Sequence, residues 1–235
     1  MTWCEGPLLG FDIETTGTDP WEHRIVTASL VEVSAGVQQT VSSWLLNPGV
    51  AIPDGAAAVH GISTAQATAD GVPPAHALEE ITSGIASWLG AGIPIVAFNA
   101  AFDLTMLEAE NQRHGVATLV ARRGEIRPVI DPFVLDKQVD TYRRGKRTLP
   151  VLSGLYGVAL TNAHTADADA AAAALLALRI VAQYPELGDY ALDELHDAQT
   201  AWRREQQLSL SQYFVRQGKL ADARSIHTGW PVASR

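Results

Sequence analysis

Cysteine is nearly missing from this sequence. Cys4 stands alone among 235 residues, which excludes an internal disulfide framework and any zinc cluster built on thiolates, and fits a reducing compartment. Long apolar runs are missing as well: none approaches the roughly 18 residues that a membrane span requires. The N-terminus has neither the basic nor the apolar region of a secretory signal. The expectation is a soluble, cytoplasmic protein with no membrane partner. Charged residues make up only 18% against 47% hydrophobic ones, a balance that supports a packed core and not a disordered chain. Positive charge is scarcest of all and unevenly placed. Of 17 lysines and arginines, only Arg24 and Arg113 fall within residues 1–121, beside 13 acids, whereas residues 122–147 hold eight bases and four acids. The net charge of −9 argues against indiscriminate nucleic-acid binding. The local excess at 122–147 reads either as a solvated loop or as a phosphate-binding surface.

What is there is an alternation of patterns. Residues 8–14, 24–33 and 37–46 are rich in apolar and β-branched residues and predict three strands in an antiparallel meander. Leu78, Ile81, Ile85, Trp88 and Leu89 recur at helical spacing over 75–89; a strand follows at 94–98, then a helix from near Phe102 to a stop at His114-Gly115. The basic stretch predicts loop with a short helix at 132–139. Residues 166–183, dominated by alanine, predict a helix with one thin side that permits close packing. Residues 188–217 predict a further helix or pair of helices, and 224–235 a loose tail. The order implies an α/β fold with a mixed sheet.

Chemistry enters where these elements end. Asp12 and Glu14 lie two residues apart at the end of the first strand, so the strand period points both carboxylates to one side. Unscreened in an apolar strand they would repel and resist ionisation, and such a pair asks for a metal. Asp103 occupies the first turn of the helix after the 94–98 strand, where a helix dipole alone would explain it. His164 and Asp169 flank the start of the alanine-rich helix. Asp167 lies about 200° around that helix from Asp169 and cannot face the same ions. Together the acids and the histidine supply the hard oxygen ligands and the base that a two-metal phosphodiester hydrolysis uses.

The segments FDIETTG, FNAAFD and HTADAD, in this order and spacing, resemble the three motifs of the DEDDh superfamily of 3′→5′ exonucleases, which includes the epsilon (proofreading) subunit of bacterial DNA polymerase III. VHGIS, from Val59 to Ser63, matches a segment between the first two motifs, and the resemblance spans residues 8–182. It implies a ribonuclease H-like mixed sheet flanked by helices, with an exonuclease domain at 1–185 and a helical extension and tail at 186–235. It further implies that Asp12, Glu14, Asp103 and Asp169 hold two Mg²⁺ ions, for which Mn²⁺ substitutes, and that His164 takes the proton of the attacking water. Thr15, Thr16, Gly17, His60, Asn99 and Phe102 would contact the terminal nucleotide; Gly17 equally fits a turn that needs glycine's φ.

The implied reaction is removal of nucleoside 5′-monophosphates from single-stranded DNA ends. Alternatives are an RNA-trimming exoribonuclease of the same superfamily, acting on RNA 3′ ends, and a non-catalytic accessory protein that binds polymerase or sliding clamp. Because YRRGKRT leads toward His164, Arg143, Arg144, Lys146 and Arg147 are candidate phosphate contacts. QQLSLSQYF, from Gln206 to Phe214, resembles short glutamine–leucine motifs that bind the bacterial sliding clamp, although helix packing explains its leucines equally well.

Overall fold

A computed structural model describes residues 2–160 and 164–234. Three strands, β1 (Leu8–Thr15), β2 (Ile25–Ser34) and β3 (Val37–Leu45), form the expected antiparallel meander. Two very short strands, β4 (Ile95–Val96) and β5 (Val129–Ile130), add to it in parallel, giving one five-stranded mixed sheet in the order β3-β2-β1-β4-β5. Ten helices are described: α1 (Asp54–His60), α2 (Thr64–Asp70), α3 (Pro74–Gly90), α4 (Ala100–His114), α5 (Leu119–Arg123), α6 (Pro132–Val139), α7 (Leu149–Tyr156), α8 (Ala166–Gln183), α9 (Leu192–Arg216) and α10 (Leu220–Arg224). Helices cover both faces of the sheet, as in ribonuclease H-like proteins.

The faces are set by the two-residue period of β1. Leu9, Phe11 and Ile13 point into a core filled by Leu78, Ile81 and Ile85 of α3 and Leu104 and Leu107 of α4. Leu8 points the other way, onto the buried alanines of α8. On this second face the helix comes unusually near. A Cβ placed on Gly10 would lie 2.2 Å from the Ala170 carbonyl oxygen, so only glycine on the strand and alanine on the helix allow the contact. The separation of these elements is thereby fixed by what the residues lack.

Several expectations need correction. The basic stretch is less of a loop than its composition predicts: α5, β5 and α7 interrupt or follow it, each too short to leave a periodic signature. The segment 224–235 is not a loose tail. Trp230 is buried in the core beneath α4, its indole N–H donates to Asp131 at 3.4 Å, and the Ala233 amide donates to the Thr105 hydroxyl at 2.8 Å. A large aromatic with a buried acceptor for its N–H outweighs the loop-forming composition around it. Residues after 185 also share the cores of those before, through Leu187 and Leu195 on one face and Trp230 on the other. No helix of the described residues is long and apolar enough to cross a membrane.

Candidate active site

Gly10 lets α8 approach β1, and the acids sit one step further along each element. Asp12 and Glu14 follow Gly10 on the same side of the strand, paired across the sheet with Ser29 and Thr27. Asp169 immediately precedes Ala170, the residue against which Gly10 packs. Asp103 arrives from the first turn of α4, which starts directly beyond β4. Asp169 is buried whereas Asp167 is exposed, as the helical angle between them requires.

Convergence of the four acids is evident in their protonation. Burial pushes Asp12 well above the usual carboxylate range, and Asp103, Asp169 and Glu14 each push it further. Asp103 is likewise raised by burial, with the neighbouring Asp131 and Glu14 adding to the shift against opposition from nearby backbone amides. Burial and then Asp169 raise Glu14 to about 7. Burial also raises Asp169, although the His164 backbone and ring oppose the shift. Such a cluster is unfavourable unless a cation or protons neutralise it.

A divalent cation fits these residues. Glu14, His164 and Asp169 offer ligand atoms that lie within 4.8 Å of one another. The Asp169 Oδ1 is buried without any hydrogen-bond partner, while its Oδ2 accepts from the His164 amide at 3.2 Å. An orphaned, desolvated carboxylate oxygen beside other carboxylates is one that could take a cation as its partner. His164 itself is exposed and takes a left-handed backbone with φ of 72°, uncommon for a residue with a side chain.

The remaining predicted residues divide. His60 is buried; its Nδ1 accepts the Ile62 amide at 3.1 Å, and burial lowers its pKa. It lines a cavity of about 400 Å³ together with Glu14 and His164. Thr15 donates to the Gly17 carbonyl at 2.7 Å, and the buried Thr16 hydroxyl accepts from the Arg24 amide at 3.0 Å. Gly17 does not take the left-handed φ expected of a turn glycine. Its requirement is space, since a Cβ would lie 2.3 Å from the His23 ring. Asn99 does adopt the left-handed conformation, with φ of 62°, and its side-chain oxygen accepts from Arg203 at 3.1 Å. Phe102 is half-buried against the α3–α4 core and lines, with Asn99 and Arg203, a smaller cavity of about 160 Å³.

The basic loop is divided too. Arg143 and Arg147 both pair with Oδ2 of the fully buried Asp136, whose other oxygen accepts from the Tyr156 hydroxyl at 3.0 Å. Their charges are therefore largely balanced within the fold. Arg144 and Lys146 are exposed and free of ion pairs among the described residues. In the glutamine–leucine segment, Gln206 donates to the Val134 carbonyl and Gln207 to that of His227, so both glutamines serve the helix's own packing.

Asp131 was not singled out by sequence. Its carboxylate accepts the Asn99 and Ala100 amides at 2.9 and 3.0 Å and the Phe133 amide at 3.0 Å. It thereby ties the start of α4, and with it Asp103, to the start of α6. Asp followed by Pro at a helix start is a legible N-cap signal; the bonds to Asn99 and Ala100, across 32 and 31 residues, are not.

Comparison with known proteins decides the family. The model of RNase_T, an exonuclease family, matches residues 9–177. The chain belongs to the RNase_T exonuclease family. That membership bears out the resemblance to DEDD-type exonucleases drawn from the three motifs. The PolC-type DNA polymerase III of Staphylococcus aureus (strain bovine RF122 / ET3-1) is 30% identical over 178 residues, 76% of this chain but 12% of that protein. The Staphylococcus haemolyticus counterpart is 29% identical over 184 residues, covering 78% and 12%. The chain thus spans about an eighth of these relatives. Among solved structures, Escherichia coli exonuclease I in complex with a dT13 oligonucleotide aligns with a TM-score of 0.64 at 20% identity, over 79% of this chain and 43% of that one. Exonuclease I of Methylocaldum szegediense aligns at 0.61 and 18%, over 77% and 41%. At these identities the structures show a shared fold. The family match ends before α9, whose Arg203 nevertheless reaches Asn99.

Proposed function

We propose that this exonuclease is divalent-metal-dependent and removes nucleoside 5′-monophosphates from 3′ ends of single-stranded DNA. The observation that carries the reading is the convergence of Asp103, Asp169 and Glu14 on the half-buried Asp12, with His164 at its edge. Asp12, Glu14, Asp103 and Asp169 would hold two ions, and Mg²⁺ suits an all-carboxylate set, with Mn²⁺ as substitute. Bound there, the ions would supply a lower pKa for the attacking water and charge stabilisation on the departing 3′ oxygen.

The rest falls to the chain. His164 is exposed beside Asp169, so its neutral ring takes the water's proton and the carboxylate stabilises the imidazolium that forms. His60 borders the cavity next to Glu14 and, with the Thr15–Gly17 turn that follows Glu14 in the chain, would receive the terminal nucleotide; Asn99 lines the cleft that holds Asp12 and Asp169 and shares a smaller cavity with Phe102. The oligonucleotide complex of Escherichia coli exonuclease I supports a single-stranded substrate. The polymerase identity of the Staphylococcus relatives supports work alongside a polymerase.

The test uses a labelled single strand offered as DNA and as RNA of one sequence, with magnesium. Nucleoside monophosphates should appear from the 3′ end, faster from DNA, and Asp12→Asn or Asp169→Asn should abolish them without lowering the melting temperature in chelator. Unchanged turnover in either variant overturns the site, and faster cleavage of RNA moves the substrate to the exoribonuclease alternative.

A further inference from the structure

Asp12, Asp169 and His164 line a larger cleft of about 510 Å³. The same cleft is lined by Phe133, Lys137, Arg147 and Arg203. Arg147 is paired with Asp136. Lys137 and Arg203 are not paired in this way. The Lys137 ammonium lies 5.3 Å from the centre of the Phe133 ring, and the Arg203 guanidinium lies 5.4 Å from the same centre. One aromatic ring thus gathers two like charges.

The Lys137 ammonium forms no ion pair or hydrogen bond among the described residues. Arg203 is 8% exposed and makes one hydrogen bond, to the Asn99 side chain at 3.1 Å. Its Nε is buried with no partner. Asp131 balances part of its charge from a distance, but Asp131's own oxygens are already taken by backbone amides and the Trp230 indole. Guanidinium donors left unused in a desolvated cleft are costly unless something accepts from them.

We infer that Lys137 and Arg203, set around Phe133, form a binding subsite for a phosphodiester of the substrate strand other than the one being cut. This rests on the exonuclease reading and adds to it a place for the strand. The anion accepts from the free Arg203 donors and neutralises the Lys137–Arg203 repulsion, while Phe133 holds the two cations side by side. Burial together with Arg203 and Arg147 lowers the Lys137 pKa, a strain that a bound phosphate relieves. The subsite explains why a chain of net charge −9 needs no broad basic surface. It also gives α9, which lies beyond the family match, a part in substrate binding.

The experiment compares wild type with Lys137→Gln, Arg203→Met, Arg203→Lys and, as a control for losing any one positive charge, the exposed Arg179→Gln. Affinity for a 5′-labelled single-stranded oligothymidylate is read by fluorescence anisotropy across a salt series. Calcium replaces magnesium, because it takes the same oxygen ligands without the strict octahedral geometry. Lys137→Gln should weaken binding about tenfold, the worth of one charge-assisted hydrogen bond, and flatten the slope of log affinity against log salt by about 0.7. Arg203→Met should weaken it more, and Arg203→Lys should keep the salt slope while losing affinity. Arg179→Gln should behave as wild type. Melting temperatures guard against misfolding of the Arg203 variants, and Lys137, which holds nothing else in place, keeps the test decisive if they unfold. If wild type cleaves in magnesium but Lys137→Gln matches it in affinity and slope, the subsite is overturned and the exonuclease reading stands. If wild type neither binds nor cleaves, both fall.

Discussion

The junction of α8 with β1 and the junction of α9 with β5 build opposite sides of the same site by opposite means. At the first, side chains are removed: Gly10 and the alanine run bring two backbones so near that a single methyl on Gly10 would lie 2.2 Å from the Ala170 oxygen. At the second, side chains are long and polar. His196 and Gln199 bond the backbone of β5, and Arg203 reaches Asn99. Short residues fix a distance rigidly, because main-chain atoms cannot swing aside. Long ones span a gap and carry charge into it. On the reading proposed above, acids that share ions would need the first arrangement, and a bound strand would be gripped by the second.

Breaking the first junction should have the largest consequence. Gly10→Val pushes Ala170 and hence Asp169 away from Asp12. We expect a loss of about 3 kcal/mol or more from overpacking against backbone, a fall in melting temperature of roughly 6–12 °C for a chain of this size, and loss of cleavage. A Gly10→Val protein with wild-type melting and turnover would show that the close approach is not needed. His164→Ala leaves the junction intact and removes only the base, so turnover should fall by about 10²–10⁴-fold with little change in KM; steady-state kinetics separates this from a binding role.

The second junction should yield more gently. Gln199→Leu deprives the Asp131 amide and the Val129 carbonyl of their partners, at 2.7 and 3.0 Å, and should cost about 2–3 kcal/mol in a denaturant titration. Cleavage should weaken but persist, since no acid moves directly. Smallest and most diagnostic is the pH response of the metal-free protein. Glu14 is raised from 4.5 to about 7. Below pH 4.5 folded and unfolded chains both keep the proton, and between 4.5 and about 7 only the folded chain does. The Glu14 contribution to folding stability in chelator should therefore fall as pH rises through that window. Added magnesium should reverse the slope. The stability difference between wild type and Glu14→Gln isolates this contribution, because burial lowers the pKa of His60, His114 and His196 and makes their part rise with pH in both proteins. A difference that does not change from pH 5 to 7 would mean that burial and Asp169 do not act on Glu14.

The same contrast explains what could be read from sequence. Asp12 and Glu14 lie within one strand, and Asp169 within an alanine run whose thin side is apparent from composition, so these acids were legible as candidates, whereas the part of Gly10 in bringing the two elements together was not. The helical spans 75–89 and 166–183 were legible too, because they are long enough for their period to repeat. The strands β4 and β5, two residues each, are too short for any period. Arg203 and Asn99 meet across 104 residues, and Asp131 and Gln199 across 68; nothing local to either residue announces its partner. The surroundings of each positive charge were hidden for the same reason. The cluster at 143–147 drew attention by density, yet two of its arginines answer Asp136, while Lys137 and Arg203, far apart in the chain, share one ring.

A last consequence follows from how α9 sits on β5. The Val129 amide donates to His196, the Val129 carbonyl accepts from Gln199, and the Asp131 amide donates to the same Gln199. These are the outward groups that a sixth parallel strand would engage, so two side chains of a helix stand in for a neighbouring backbone. An edge closed in this way is unavailable as a template for β-augmentation. His196→Ala with Gln199→Ala uncovers it while leaving Leu187, Leu195 and Trp230 in the cores, and should shift sedimentation toward larger species relative to wild type.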